Sequence, residues 1–442
     1  MSELQAERTT PAEQIAPPFR ADPLAWAVGR LREPYVQLVA SQLLAGGVAF
    51  VANVLMARAL SPTGRGEVAL MLQISYLATQ VLLLGTERSF TAECHGAAPA
   101  VAVRAYARLL VVPCAAGLTL AVAFATIAPH GIDPAPVLVT LVACYTVVDV
   151  MVLASRAIAV ATNRMADFFR CRVVESVLTL GIMAVLYGAK VTHPGVWILA
   201  YLIAGTVPTA ACVVLWLRRP LPATAAPITA AQRRLVRREG VTLFPAALAN
   251  MAMLRVDRLA LPALSSTAAL GLYTSVATMT ELLAWPLRAY ADSRLGRWRA
   301  SHRHGALRAR PLIVAATVYT VVVAPVLAGG LYLLIVPVFG ERYAPARAVV
   351  LPLVAAAGLY AVSRISLGLL VARGYGTLVS AAEICGFVVS LAAYLLLIPP
   401  YGIAGAAYGS LFGYGACLAF ALIASKLVGH RSGTPGEDGR TP

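Results

Sequence analysis

Twelve apolar stretches, separated by short polar breaks, run along the chain at roughly 36–57, 67–85, 109–128, 135–155, 173–189, 196–217, 241–263, 271–291, 311–336, 347–371, 376–398 and 403–425. A helix rises 1.5 Å per residue, so about 20 mainly apolar residues cross the hydrocarbon core of a bilayer, and each stretch is close to that length. The pattern predicts an all-α polytopic membrane protein with about 12 transmembrane helices. Residues 1–35 are polar and contain prolines; they lack an apolar core and a small-residue cleavage site, so they read as a tail and not as a secretory signal. Within that tail Phe19 to Glu33 mixes Leu24, Trp26, Val28 and Leu31 with arginines, which suits a short segment lying along the membrane surface. Residues 427–442 form a second, Gly- and Pro-containing tail.

The longest interior polar loop, 218–240, lies at the midpoint and divides the spans six and six. It gives an N-terminal six-helix bundle (36–217) and a C-terminal one (241–426). An even number of spans per half leaves both halves in one orientation, as repeats related by an axis along the membrane normal require. At an offset of 205 residues, GEVALMLQISYLA from Gly66 lines up with GLYTSVATMTELLA from Gly271, and Val36 with Val241. Few residues match outright, yet the order of features supports a duplication.

Composition narrows the classes. Of 442 residues, 59% are hydrophobic and 13% charged, against about 45–50% and about 25% in a soluble domain, which excludes a soluble multidomain enzyme. A net charge of +16 would point to nucleic acid in a soluble chain. Here it reports topology, because cytoplasmic loops of membrane proteins collect basic residues. With the N-terminus in the cytoplasm, 27 of the 36 basic residues fall in cytoplasmic segments, five in outward segments and four inside spans. The asymmetry places both termini and the 218–240 linker in the cytoplasm of a multi-pass protein of the cell membrane, with no nucleic-acid partner. Seven cysteines lie mostly within apolar runs, and six histidines lie in loops or tails. Neither set has the spacing of a disulfide framework or a metal site. No phosphate-binding loop, nucleophile elbow or zinc-protease motif is present, so no enzyme activity and no cofactor are expected.

Function is therefore sought among polar residues inside spans, where charge is costly and faces a partner or a water-filled cavity. The seventh span holds the densest set, NMAMLRVDR from Asn250 to Arg258. Arg255 and Arg258 share a helical face. In one reading Asp257 pairs with one of them while the other reaches the outer surface; in the other the two arginines line a central cavity and bind phosphate, which suits the guanidinium fork. In the eighth span Glu281 falls near mid-membrane, Arg288 lies two turns further on the same face, and Pro286 between them kinks the helix. Glu281 is the deepest acid and the foremost candidate for a protonatable or cation-binding group (H+ or Na+), its alternative being a structural pair with an arginine of the seventh span. Arg364, Asp149 and Glu383 lie one to two turns from the cytoplasmic boundary, and Arg88 ends the second span there; for these, solvation at the boundary or local pairing is the simpler reading. The candidate substrate-binding set is thus Arg255, Arg258, Arg288, Arg364 and Arg88, and the candidate coupling set Glu281, Asp257, Asp149 and Glu383. Gly405, Gly409 and Gly413 recur at every fourth position of the last span and permit close helix packing.

Three segments carry a family resemblance. ANVLMARALSPTGRGEVALMLQISYLATQVLLLG (Ala52 to Gly85) and VDRLALPALSSTAALGLYTSVATMTELL (Val256 to Leu283) resemble the polysaccharide-biosynthesis flippases of the MOP superfamily, which also contains the MATE multidrug exporters. The clearest match is Ala372 to Ser410, where Ile398, Pro399, Gly402, Gly405, Ala406 and Ala407 carry the Ile-Pro-x-x-Gly-x-x-Gly-Ala-Ala turn into the last span. The resemblance extends over residues 36–426. It implies two six-helix bundles in a MATE-like arrangement around a cavity open alternately to either side, and as cargo an oligosaccharide on a polyprenyl diphosphate. Twelve spans agree with oligosaccharide flippases and MATE exporters, whereas the lipid II flippases of the superfamily usually carry two more helices. Its implied partners are the lipid-linked oligosaccharide, membrane lipids, a coupling cation, and the polysaccharide polymerase and glycosyltransferases of the same assembly. A MATE-type cation-coupled exporter of small molecules and a non-transporting scaffold for envelope assembly are the rival readings.

Overall fold

The computed structural model describes residues 34–127, 136–221, 227–304 and 306–431. The expected interfacial segment at Phe19 to Glu33 and most of both tails lie outside the described residues. Fifteen α-helices are found among the described residues, joined in two places by 3₁₀ turns. The first half comprises α1 (Pro34–Ala59), α2 (Pro62–Leu83), α3 (Thr86–Glu93), α4 (Pro99–Ile127), α5 (Pro136–Ala161), α6 (Met165–Gly188) and α7 (Pro194–Arg218). The second comprises α8 (Ala230–Arg255), α9 (Asp257–Leu264), α10 (Thr267–Thr280), α11 (Trp285–Arg303), α12 (Ala309–Phe339), α13 (Val350–Ala372), α14 (Gly376–Tyr401) and α15 (Ile403–Arg431).

Helix starts follow from local chemistry. Five helices of the first half begin with proline, whose missing N–H is one that a first turn leaves unsatisfied in any case. Ser61 caps α2 by accepting from the Gly64 amide at 3.2 Å, and Ser266 caps α10 by accepting from Ala269 at 3.1 Å. Thr229 and Gln232 cap the start of α8 reciprocally. The α2–α3 turn is made by Leu84 and Gly85 in the left-handed region; at Gly85 a Cβ would lie 2.5 Å from the Gly240 carbonyl oxygen, so glycine is required there for packing as well.

Eight helices among the described residues are long and apolar enough to cross a membrane. They correspond to α2, α4, α5, α7, α12, α13 with the 3₁₀ stretch before it, α14 and α15. The seventh and eighth expected spans are each broken: 241–263 divides into the end of α8 and α9, and 271–291 into α10, the 3₁₀ turn Glu281–Leu283 and α11. The expected linker is in part helical, because α8 begins at Ala230 and runs without interruption into the seventh span. This part packs on the first bundle, where Ser89 Oγ donates to the Val236 carbonyl at 2.9 Å and Ile228 and Val236 enter the hydrophobic core. The last helix runs to Arg431, into the expected tail.

Side-chain polarity is that of a lipid-facing protein. Helix α12 turns Val321, Val322, Val326 and Leu333 outward, Val326 being 74% exposed, while α13 is buried along most of its length. Apolar rims on this scale are costly in water and neutral in lipid. In the first bundle one core gathers Met56, Met183 and Trp197 and another Phe90, Tyr106 and Trp216. The second bundle is held by Tyr360, Tyr414 and Cys417 and, nearby, by Trp298 and Ile365. In the last span Gly405 lies against the Leu397 carbonyl, Gly409 against the Tyr394 ring and Gly413 against Ser390, so the α14–α15 hairpin packs through the expected glycine stripe.

The bundles meet chiefly where α2 crosses α10. A Cβ on Gly66 would overlap the carbonyl oxygen of Thr267, and a Cβ on Gly271 that of Pro62. Gly66 and Gly271, and likewise Pro62 and Thr267, are separated by the same 205 residues. Each half therefore presents the same patch to the other across a pseudo-twofold axis, as an isologous contact demands. Ala57 and Ala69 of the first half join Leu270, Tyr273, Tyr343 and Tyr394 of the second in the core behind this crossing. Arg58 Nε donates to the Val338 carbonyl at 2.7 Å and its Nη2 to that of Pro337 at 2.6 Å, tying α1 to the end of α12.

Candidate functional site

The two helix breaks are produced locally. Pro286 has no N–H for the Leu282 carbonyl and its ring crowds that carbonyl out of helical geometry, so the chain tightens into the 3₁₀ turn that carries Glu281. In the other break the helical bonds of α8 end with the Val256 amide donating to Ala252 at 2.8 Å, and the chain restarts at Asp257, whose Oδ1 accepts from the Arg258 amide at 2.8 Å. A carboxylate at a helix start is favoured by the amides exposed there. Broken helices at membrane depth are tolerated where the freed backbone is buried in protein or lines a cavity.

The breaks bring three charged groups together. Arg255 grips Glu281 with both ends of its fork, Nη1 to Oε1 at 3.0 Å and Nη2 to Oε2 at 3.3 Å. Arg258 Nη2 donates to the same Oε1. The Nε of each arginine is buried with no hydrogen-bond partner among the described residues, so the guanidiniums hold donors beyond those Glu281 uses. Arg255 also stands over the ring of Tyr76, 5.8 Å from its centroid, which sets the cluster against α2 of the first bundle. Asp257, 4% exposed, takes the Tyr273 hydroxyl on Oδ2 at 2.5 Å. Behind it Ser410 lies 3.3 Å from the Tyr273 hydroxyl and 2.9 Å from that of Tyr394. Asp257 thus anchors α9 to α10 and α15, and both arginine side chains go to Glu281.

The other expected residues lie elsewhere. Arg364 donates to Glu383 at 3.1 Å inside the second bundle and lies over Tyr360, 4.8 Å from the ring centroid. That couple is a buried internal pair. Asp149 lines a cavity whose walls come from α1, α2, α5, α6 and α7. Arg288 is exposed on α11, past the break. Arg88 belongs to α3, and its side chain lies outside the described residues.

Arg65 was not among the candidates, because the hydropathy pattern starts the second span at residue 67 and leaves Arg65 in an outward loop. In the structure α2 begins at Pro62, and Arg65 is 5% exposed. Its Nε and Nη2 donate to Asn53 Oδ1 at 2.8 and 2.5 Å, while Nη1 and the Asn53 Nδ2 have no partner among the described residues. The Ser61-Pro62 capping signal, given more weight than hydropathy, moves the helix start back far enough to include it.

A family model described as "Polysaccharide biosynthesis protein" matches residues 35–287. No curated protein sequence matches the chain. Solved structures do. An inward-facing multidrug resistance MATE family transporter of the MOP superfamily superposes with a TM-score of 0.68 at 14% identity, over 88% of this chain and 96% of that one. The lipid II flippase MurJ in its inward closed conformation gives 0.63 at 10% identity, over 88% and 87%. An outward-facing MATE transporter of the MOP superfamily gives 0.56 at 14%, over 94% and 98%. At such identities these likenesses establish the fold, which is MATE-like as the sequence motifs imply.

Proposed function

The chain belongs to the polysaccharide biosynthesis protein family, and on that premise we propose that this membrane transporter flips a polyprenyl-diphosphate-linked oligosaccharide across the cytoplasmic membrane by alternating access. The observation that carries the reading is the convergence of Arg255 and Arg258 on Glu281 at two helix breaks in the seam between the bundles.

A carboxylate gripped by a guanidinium fork occupies the geometry a phosphate oxygen pair would take. Glu281 is therefore an internal competitor for the cargo. When the diphosphate enters, it takes over the donors of Arg255 and Arg258, together with the two unused Nε groups, and Glu281 is released. A buried carboxylate without a cation is costly to keep charged, so the released Glu281 takes up a proton or a sodium ion. Departure of the cargo on the other side restores the arginine pairs and expels that cation. In this cycle Glu281 is the coupling group, and the arginines recognise the part of the cargo that all lipid-linked glycans share. A drug-cation exporter would place uncompensated acids in the seam, where this chain has two arginines on one carboxylate.

The test is transport of a polyprenyl-diphosphate-linked sugar in proteoliposomes. Arg255→Gln and Arg258→Gln each remove a charge-assisted contact, for which about 1.5–3 kcal/mol is typical, so transport should fall about tenfold or more at equal protein level. Because this cycle carries the cation in the same direction as the cargo, Glu281→Gln should abolish stimulation by a proton or sodium gradient directed from the side of cargo entry to the side of release, while cargo binding persists. Wild-type transport by both folded arginine variants would refute the assignment of the site.

A further inference from the structure

Inside the first bundle, apart from the Arg255–Glu281–Arg258 cluster, lies a cavity of about 220 Å³. Its polar lining is balanced. Asp149 and Glu175 supply two carboxylates, and Arg156 and Arg172 two guanidiniums. Arg172 Nη1 and Glu175 Oε2 are 2.5 Å apart and form one internal pair; Asp149, whose carboxylate takes the Thr79 hydroxyl and keeps further acceptor capacity, and Arg156 stand two turns apart on α5 as an acceptor and a donor at different levels of the same wall. Such a lining suits neither class of ion: the arginines repel a cation and the acids an anion. The remaining walls are amphipathic, with Tyr76, Tyr145 and Tyr201 offering ring surface and hydroxyls together. Tyr145 and Tyr201 stand edge to face with centroids 6.3 Å apart.

Size adds a second restriction. Pockets for drug-sized ligands run from about 300 to 1,000 Å³; this one is smaller and fits a single ring bearing several hydroxyls. Position adds a third. Tyr76 lines the cavity and is also the ring over which Arg255 stands, at 5.8 Å. The cavity therefore begins one aromatic ring from the guanidiniums to which the diphosphate is assigned, and the first sugar of a lipid-linked glycan is joined to that diphosphate through a single oxygen.

We infer that this cavity is the seat of the diphosphate-proximal sugar, with Asp149 accepting from its hydroxyls, Arg156 donating to its oxygens and Tyr145 and Tyr201 packing on its ring. The inference rests on the flippase reading and deepens it, since it assigns cargo discrimination to the first bundle and leaves diphosphate recognition to the second. It also gives Asp149 a sugar-binding role in place of the coupling role its sequence position suggests.

The experiment uses the full-length protein in lipid nanodiscs and measures equilibrium binding of bare polyprenyl diphosphate against the same lipid carrying one hexose, N-acetylhexosamine, deoxyhexose or uronic acid. At least one glycosylated probe should bind wild-type protein about tenfold more tightly than the bare lipid, the worth of one or two good polar contacts. Asp149→Asn and, independently, Tyr145→Leu, which removes the aromatic wall, should erase that preference and leave affinity for bare diphosphate within twofold. Arg255→Gln should weaken every probe by a similar factor. If no glycosylated probe outbinds the bare lipid on wild-type protein, or if both first-bundle variants keep the preference, the cavity is not a sugar seat and the flippase reading stands. If neither bare nor glycosylated lipid binds at all, the flippase reading falls and takes the cavity assignment with it.

Discussion

Gly66→Ala is the sharpest perturbation of the crossing between the bundles. The added Cβ would overlap the Thr267 carbonyl oxygen, lie 2.7 Å from the carbon of the same carbonyl and 3.1 Å from the Gly271 amide nitrogen. All three are backbone atoms of α10, so no side-chain rotation relieves the clash; α2 and α10 have to move apart by a substantial fraction of an atomic diameter. Overpacking a tight contact costs about 1–3 kcal/mol. Because that cost is felt only while the crossing is closed, it shifts the closed-to-open equilibrium by about 5- to 150-fold. Gly271→Ala meets the Pro62 carbonyl in the mirrored contact and should act alike, and the double variant should fall short of the product of the two because both relieve one contact. Ala69, one turn deeper on α2 and 3% exposed, is the reporter: a cysteine there should react with a membrane-impermeant maleimide faster in the Gly66→Ala background by a factor in that range, after subtraction of the native cysteines. Net transport should fall because return to the closed state is slowed. A labelling rate within twofold of the parent, in protein that is folded and membrane-inserted, would show that the helices absorb the methyl without parting and would refute this expectation.

Two further outcomes follow from the charge distribution. Impermeant labelling of intact cells should modify a cysteine at exposed Lys190 but not one at exposed Arg234, since the basic asymmetry puts the first outside and the second in the cytoplasm; the reverse result would invert the topology. Arg364→Gln should lower thermal stability by an amount equivalent to about 3–5 kcal/mol, because it strands Glu383 in the core of the second bundle, while Arg364→Met with Glu383→Leu should regain most of the loss in a detergent melting assay; equal melting temperatures for the single and double variants would refute the pair's structural role.

What the linear sequence determines here is the set of quantities that each segment carries alone. A bilayer requires backbone hydrogen bonds to be satisfied within each span, so hydropathy and length suffice to read an all-helical membrane protein, and the 205-residue offset is enough to suggest two halves. The prolines at helix starts and Pro286 at the break act on their immediate neighbours, and they too are legible. Side-chain partners are a different matter. Arg255, Arg258 and Glu281 stood out as costly charges, yet nothing in their spacing distinguishes pairing with Asp257 from pairing across two broken helices; that choice is made by the angle at which α9 leaves α8 and by the Tyr273 hydroxyl that holds Asp257. Arg65 escaped because hydropathy averages over a window and blurs a helix start by several residues. The Asp149 cavity depends on five helices closing around residues 41 to 205, and the Gly66–Gly271 contact on two halves meeting across an axis. Such juxtapositions come from packing between segments far apart in the chain, where each side chain's energy depends on neighbours that local pattern does not name; only the tertiary structure decides them.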